Sequence, residues 1–260
     1  MSSAVRSIWN GTITVGTIAV PIKVHSAIED RTVHFHEVHA EDGARIEHKR
    51  ICPREGEEVP YSEIVKGFEI APDEYVVLDK EEIAAAGGGR SRMVEIEEFV
   101  DAAAIDPVYY ERTYYLGARD APDAYRVLHG ALERAGRSAI GRWHFHNREY
   151  LVAIRALDGI LAMHTMRFHD EIVRGGELDV EAPSRAPSDR EVEMARMLVD
   201  NLHVEFDPHD FSDTYRERIL DYLERKRRGT APELAPAEDR PRSDDLLAAL
   251  QAASLQGGAR

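Results

Sequence analysis

Several things are scarce in this sequence, and each scarcity closes off a class of protein. No apolar run approaches the roughly 18 residues that a membrane-crossing helix requires. The opening residues Met1-Ser2-Ser3-Ala4-Val5-Arg6 lack the apolar core of a secretory signal, so a cytoplasmic address is expected. Cys52 is the one cysteine in 260 residues, which excludes an intrachain disulfide framework and a zinc site made of several thiolates. Positive charge is in deficit: 33 Lys and Arg stand against 48 Asp and Glu, a formal charge of −15 at pH 7. Taken alone, that balance speaks against nucleic acid. It describes the average field, however, whereas duplex binding needs only a local basic surface that neutralises several phosphates.

Signatures of catalysis are missing as well. The chain has no Gly-rich phosphate loop, no G-x-S-x-G and no H-E-x-x-H. Gly87-Gly88-Gly89 lacks the preceding strand and following helix of a nucleotide loop and reads as a turn that presents Arg90 and Arg92. In His34-Phe35-His36-Glu37-Val38-His39, a metal-dependent hydrolase would use His34 and His36. On a strand, however, those two point to one face and His39 to the other, so the groups do not converge locally. His144-Phe145-His146 meets the same objection. No cofactor or metal is expected.

What is present is a globular composition, 43% hydrophobic, in a chain long enough for one large core or two modest ones. The stretch from Ile8 to Val24 is β-branched, alternating and punctuated by Gly and Pro, as strands are. Similar runs follow at Val33–Val38, Arg45–Ile51, Tyr75–Leu78, Met93–Val100, Glu111–Leu116, Arg142–Phe145, Leu151–Ala156 and Ile160–Met166. So many short strands predict a closed barrel or a sandwich. One helix is expected over Ala121–Ala135, with Val127, Leu128 and Leu132 at helical spacing. Beyond Pro187, Ser188 and Glu191 form a capping box ahead of Val192, Ala195, Val199 and Leu202. A further helix starts near Ser212, with Phe211, Tyr215, Ile219 and Leu223 on one face, and closes in Arg225-Lys226-Arg227-Arg228. These two helices read as an extension from the strand-rich part. No internal repeat of fixed period is visible.

Basic residues gather in three places: Arg45, Lys49, Arg50 and Arg54; Arg90 and Arg92; Arg137, Arg142 and Arg148. Arg binds phosphate as a fork and Lys as a point charge, although each can equally be a solvated or ion-paired surface group. The Arg225–Arg228 cluster has a local explanation, since cations at a helix C-terminus complement its dipole.

A run of short blocks then resembles one family along nearly the whole chain. Ile8-Trp9-Asn10-Gly11, Gly16 and Val20-Pro21-Ile22-Lys23 come first. Asp42-Gly43-Ala44-Arg45-Ile46, Lys49-Arg50-Ile51-Cys52 and Gly56-Glu57-Glu58-Val59-Pro60-Tyr61 follow in order. Tyr75-Val76-Val77-Leu78, Ile105-Asp106-Pro107, Tyr114-Tyr115-Leu116, Leu151-Val152-Ala153-Ile154-Arg155, Phe206-Asp207-Pro208 and Asp213-Thr214-Tyr215 complete the set. Together they resemble the bacterial Ku family. The resemblance implies an α+β fold: a central antiparallel β-barrel with a bridge or arm region and C-terminal helices, in a ring-forming homodimer. Residues 1–229 would be the core, 230–242 a flexible linker and 243–260 a short ligase-interaction helix. The implied role is non-enzymatic, namely sequence-independent binding of double-stranded DNA ends in non-homologous end joining, with recruitment of the multifunctional ATP-dependent end-joining DNA ligase. Arg45, Lys49, Arg50, Arg90, Arg92 and Arg142 are the candidate DNA contacts. Asp244, Leu246, Leu247 and Leu250 are the candidate ligase contacts, as a leucine stripe that docks in a groove. A hydrolase built on His34 and His36 and a dimeric adaptor that binds only protein are the other readings. The chain departs from the family pattern twice. Glu55 stands where relatives often carry the second cysteine of C-x-x-C, and Gly257-Gly258-Ala259-Arg260 stands where some carry a Lys-rich tail.

Overall fold

A computed structural model of the chain describes residues 6–86, 91–146, 148–179 and 185–230. Strands β1 (Ser7–Val15) and β2 (Ile18–Ser26) form a hairpin. Its two-residue turn begins with Gly16 at φ 55°, a left-handed conformation that suits glycine. Irregular chain leads to a second hairpin, β3 (Lys66–Ala71) and β4 (Glu74–Leu78), and to a short helix α1 (Lys80–Ala86). Then come β5 (Met93–Asp101), β6 (Tyr110–Ala118), helix α2 (Pro122–Ala135), β7 (Arg137–Phe145), β8 (Arg148–Leu157) and β9 (Ile160–Met166). Helices α3 (Asp189–Asn201) and α4 (Thr214–Arg227) follow. The described residues form two compact units, one from within 1–31 and 36–177, the other from within 32–35 and 178–260.

In the first unit seven strands close a barrel in the order β1-β2-β6-β9-β8-β7-β5. Every neighbouring pair is antiparallel except β1 with β5, which run parallel. The exception is forced: an odd number of strands cannot close with strictly alternating directions. At this seam Thr12 pairs with Met93 and Ile13 with Val94, and the Thr12 N–H donates to the Arg92 carbonyl at 3.0 Å. Two glycines admit β5. A side chain at Gly11 would strike the Arg92 carbonyl and the Trp9 ring, and one at Gly141 would strike the Glu95 carbonyl.

The period-two pattern turns into a filled interior. Along β2, Val20, Ile22 and Val24 are buried while Lys23 is exposed. They meet Ile13, Val94, Leu116, Val152, Ile154, Leu161 and Met163 from the other strands. Trp143, fully buried, sits among rings, 5.7 Å from Trp9, 5.3 Å from Tyr114 and stacked on Phe145 at 4.6 Å. Helix α2 adds Tyr125 and Leu132 to this core and ends at Gly136 in the left-handed region. Its Val127, expected on the apolar face, is 72% exposed, since Tyr125 and Leu132 define the buried side. Outside the barrel wall, Ile140, Ala153 and Met166 are covered by Val100, Ile105, Tyr109, Tyr110 and Leu151.

Two expected strands, Val33–Val38 and Arg45–Ile51, do not form. Their backbone groups close local turns rather than a ladder. The His39 N–H donates to Ala44 O, the Gly43 N–H to His39 O and the Ile46 N–H to Glu37 O. The same set recurs in the next loop: Cys52 N–H to Glu57 O, Gly56 N–H to Cys52 O and Val59 N–H to Arg50 O. Gly43 and Gly56 both stand at φ 73°, and one isolated bridge flanks each turn, Val38 with Arg45 and Ile51 with Glu58. This is an internal structural repeat, which the sequence had not displayed.

In the second unit the capping box forms as expected: the Glu191 N–H donates to Ser188 Oγ and the Ser188 N–H to the Glu191 carboxylate. That bond, the Ser188 hydroxyl and above all Arg185 hold the Glu191 carboxyl far below the usual range. Neither α3 nor α4 buries a residue.

Candidate nucleic-acid interface

The three basic clusters differ in what surrounds them. In the first, the Lys49 ammonium donates to Glu58 at 2.7 Å, and this partner raises its pKa. Arg45, Arg50 and Arg54 have no carboxylate within ion-pair distance among the described residues. Arg50 instead lies over the ring of Tyr61, 5.3 Å from its centroid. Lys80, the first residue of α1, approaches the same ring at 5.6 Å. The recurring turn positions this group: the Val59 N–H donates to the Arg50 carbonyl, which ties Arg50 to the chain entering Pro60 and Tyr61. A 3-10 turn over Tyr61–Glu63 then fixes the ring's backbone.

In the second cluster Arg92 is exposed at the barrel seam, its carbonyl engaged by Thr12 and its side chain without an acidic partner among the described residues. Arg90 lies outside the described residues. The third cluster is neutralised. Arg137 pairs with Asp101, Arg148 with Glu171, and Arg142 bridges Glu97 on β5 and Glu149 on β8. Those two carboxylates hold the Arg142 guanidinium charged more firmly still. The structure therefore brings Arg50 and Lys80 together on Tyr61, leaves Lys49 on Glu58, and commits Arg142 across three strands. Tyr61 and Lys80 were not among the expected contacts. Lys80 stands alone before Glu81-Glu82 and looks like a helix start, so only the fold reveals its neighbour.

One polar group sits in the barrel wall. His164 is buried, accepts from Arg155 Nε–H at Nε2 and lies 3.0 Å from the Thr113 hydroxyl through Nδ1. Tyr110 packs on its ring at 4.8 Å. Because Nε2 accepts, Nδ1 carries the proton and the imidazole is neutral. Burial first and the Arg155 charge second depress its pKa. At one end of the barrel an open cleft of about 880 Å³ is lined by Arg6, Ser26, Arg112, Tyr114, Phe145 and His146 among others. Among the described residues no three His, Cys, Asp or Glu side chains converge as metal ligands would, and the run around His34 and His36 is irregular rather than a strand. No helix of the described residues is long and apolar enough to cross a membrane. The ligase-contact candidates Asp244, Leu246, Leu247 and Leu250 lie outside the described residues.

Residues 14–194 match the family model described as the Ku70/Ku80 beta-barrel domain. The chain is 41% identical over 259 residues to a non-homologous end joining protein Ku of Anaeromyxobacter, an alignment covering 97% of this chain and 87% of that one. It is 39% identical to the Ku 1 protein of Saccharopolyspora erythraea over 90% of this chain and 73% of the other. It is 33% identical to the Ku protein of Desulfitobacterium hafniense over 95% and 86%.

Proposed function

The chain belongs to the Ku family, and from that premise we propose that it binds ends of duplex DNA in non-homologous end joining as a ring-shaped homodimer. The carrying observation is the 41% identity, spread over 97% of the chain, to a protein named for that process. Arg45, Arg50, Arg54 and Arg92 support a phosphate-binding surface, because no carboxylate among the described residues pairs with them. Phosphate and sugar contacts do not read sequence, and a closed ring loads only where the duplex stops.

The dimer is supported by what one chain leaves bare. The β3–β4 hairpin has no buried residue: Phe68 is 67% exposed and Val77 57%, with Ile70 and Tyr75 exposed as well. A two-stranded hairpin is marginal in water without a packing partner, and apolar faces of this extent mark interfaces. We assign the covering partner to the second copy, through an isologous contact. Recruitment of the end-joining ligase falls to 243–260, where Asp244 and the leucine stripe Leu246, Leu247 and Leu250 would dock. Binding to linear duplex, relaxed closed circles and duplexes blocked at both ends tests the threading reading. A free end should be required; equal affinity for closed circles refutes it. The mass of the protein in solution should be that of two chains.

A further inference from the structure

We propose that Arg50, Tyr61 and Lys80 form one phosphate clamp, in which the tyrosine ring holds two cations ready for the DNA backbone. The inference rests on the DNA-end reading and names the residues that act in it. Three observations converge. First, Arg50 and Lys80, far apart in sequence, meet on a single ring at 5.3 and 5.6 Å. Second, neither has a carboxylate within ion-pair distance among the described residues, although Glu58 lies close enough to take neighbouring Lys49. In a chain of formal charge −15, these two cations keep their charge available around one ring, with no ion pair among the described residues. Third, Tyr61 is 66% exposed, so the group is open to a ligand as large as a duplex.

The ring explains how like charges are kept together. Its negative face attracts each cation and offers no full charge that a phosphate would need to displace. Arg50 then presents a planar fork to two phosphate oxygens and Lys80 a point charge, while the Tyr61 hydroxyl can donate a further hydrogen bond. Arg142 is the contrast: its guanidinium is already spent on Glu97 and Glu149. In this clamp Tyr61 is a positioning residue, and the cations are the contacts.

The test is fluorescence anisotropy of the full-length protein on a short duplex with one free blunt end, repeated across a salt series. Each phosphate contact contributes about 0.9 to the slope of log affinity against log salt. In a dimer with both clamps on the duplex, Arg50→Ala and Lys80→Ala each remove two contacts and should each flatten the slope by about 1.8, and the double variant by about twice as much. Tyr61→Ala should weaken binding several-fold while leaving the slope unchanged, because both charges remain; Tyr61→Phe should stay closer to the wild type. Arg50→Lys should keep the slope and lose affinity. Circular dichroism confirms that each variant is folded, which these exposed positions permit. A double variant with wild-type slope and affinity overturns the clamp while the end-binding reading stands. Failure of the wild-type protein to bind the free end overturns both.

Discussion

Replacing Tyr125 with phenylalanine isolates one atom that the barrel depends on. The Tyr125 hydroxyl donates to the Leu116 carbonyl at 2.5 Å and accepts from the Leu161 N–H at 2.8 Å. Leu116 and Leu161 are register partners across β6 and β9, so the phenol is inserted into the ladder itself. The ring is buried in the core, and burial raises the hydroxyl's pKa. Tyr125→Phe keeps the ring and strands one acceptor and one donor out of water, at about 1–3 kcal/mol each. The two strands can draw together and re-pair in part, which brings the expected loss to about 2–3 kcal/mol. At about 2–4 °C per kcal/mol for a unit of this size, the midpoint should fall by about 5–10 °C. Both tryptophans, Trp9 and Trp143, lie in the barrel, so fluorescence during thermal unfolding at fixed protein concentration reports this unit. Tyr115→Phe, exposed on β6 beside Leu116, is the control and should shift stability by less than about 0.5 kcal/mol. A Tyr125→Phe midpoint equal to the control's would show that the inserted hydroxyl holds nothing.

Two further perturbations probe the seam and the wall. Gly141→Ala forces a methyl group against the Glu95 carbonyl and should cost about 1–3 kcal/mol as overpacking does; an unchanged urea midpoint would mean that β5 sits looser than described. His164 has its folded pKa depressed below the unfolded value near 6.5. Its stabilising contribution is therefore complete above about pH 6.5 and is lost as pH falls through the lower folded value. His164→Gln, which cannot titrate, should melt with a flatter profile between pH 7.5 and 5, and identical profiles would remove the argument.

Most of the barrel's strands were legible because they obey a simple rule, and Val20, Ile22 and Val24 alternating with Lys23 announce a half-buried ribbon without help from the rest of the chain, although alternation alone left a barrel and a sandwich open. The parallel closure could not be read so, since direction follows from the number of strands and not from any residue in β1 or β5. The failed strands at 33–38 and 45–51 have a physical cause. Their β-like composition competes with Gly43 and Gly56, whose left-handed backbones close turns locally. The repeat formed by these turns hid because the two loops share a bond pattern while His39 and Cys52, at matching positions, have nothing in common chemically. At the candidate site, Arg50 was visible as part of a basic cluster. Tyr61 and Lys80 were not, since a ring shared by two distant cations leaves no spacing to recognise.

Net charge, which had seemed to oppose DNA binding, now acts as a filter. Arg137, Arg142 and Arg148 look in sequence like a basic patch, yet each meets a carboxylate in the fold. The cluster ending α4 behaves alike, with Arg225 on Asp221 and both Arg227 and Arg228 on Glu224. Such exposed pairs add little stability, about 0–1 kcal/mol. Their larger effect is to occupy guanidinium groups that would otherwise adhere to any phosphate. Arg50 and Lys80 around Tyr61 are among the basic residues left without such a partner among the described residues. The salt dependence of end binding should therefore count the cations without a carboxylate partner that reach the duplex, Arg45, Arg54 and Arg92 among them, rather than the total.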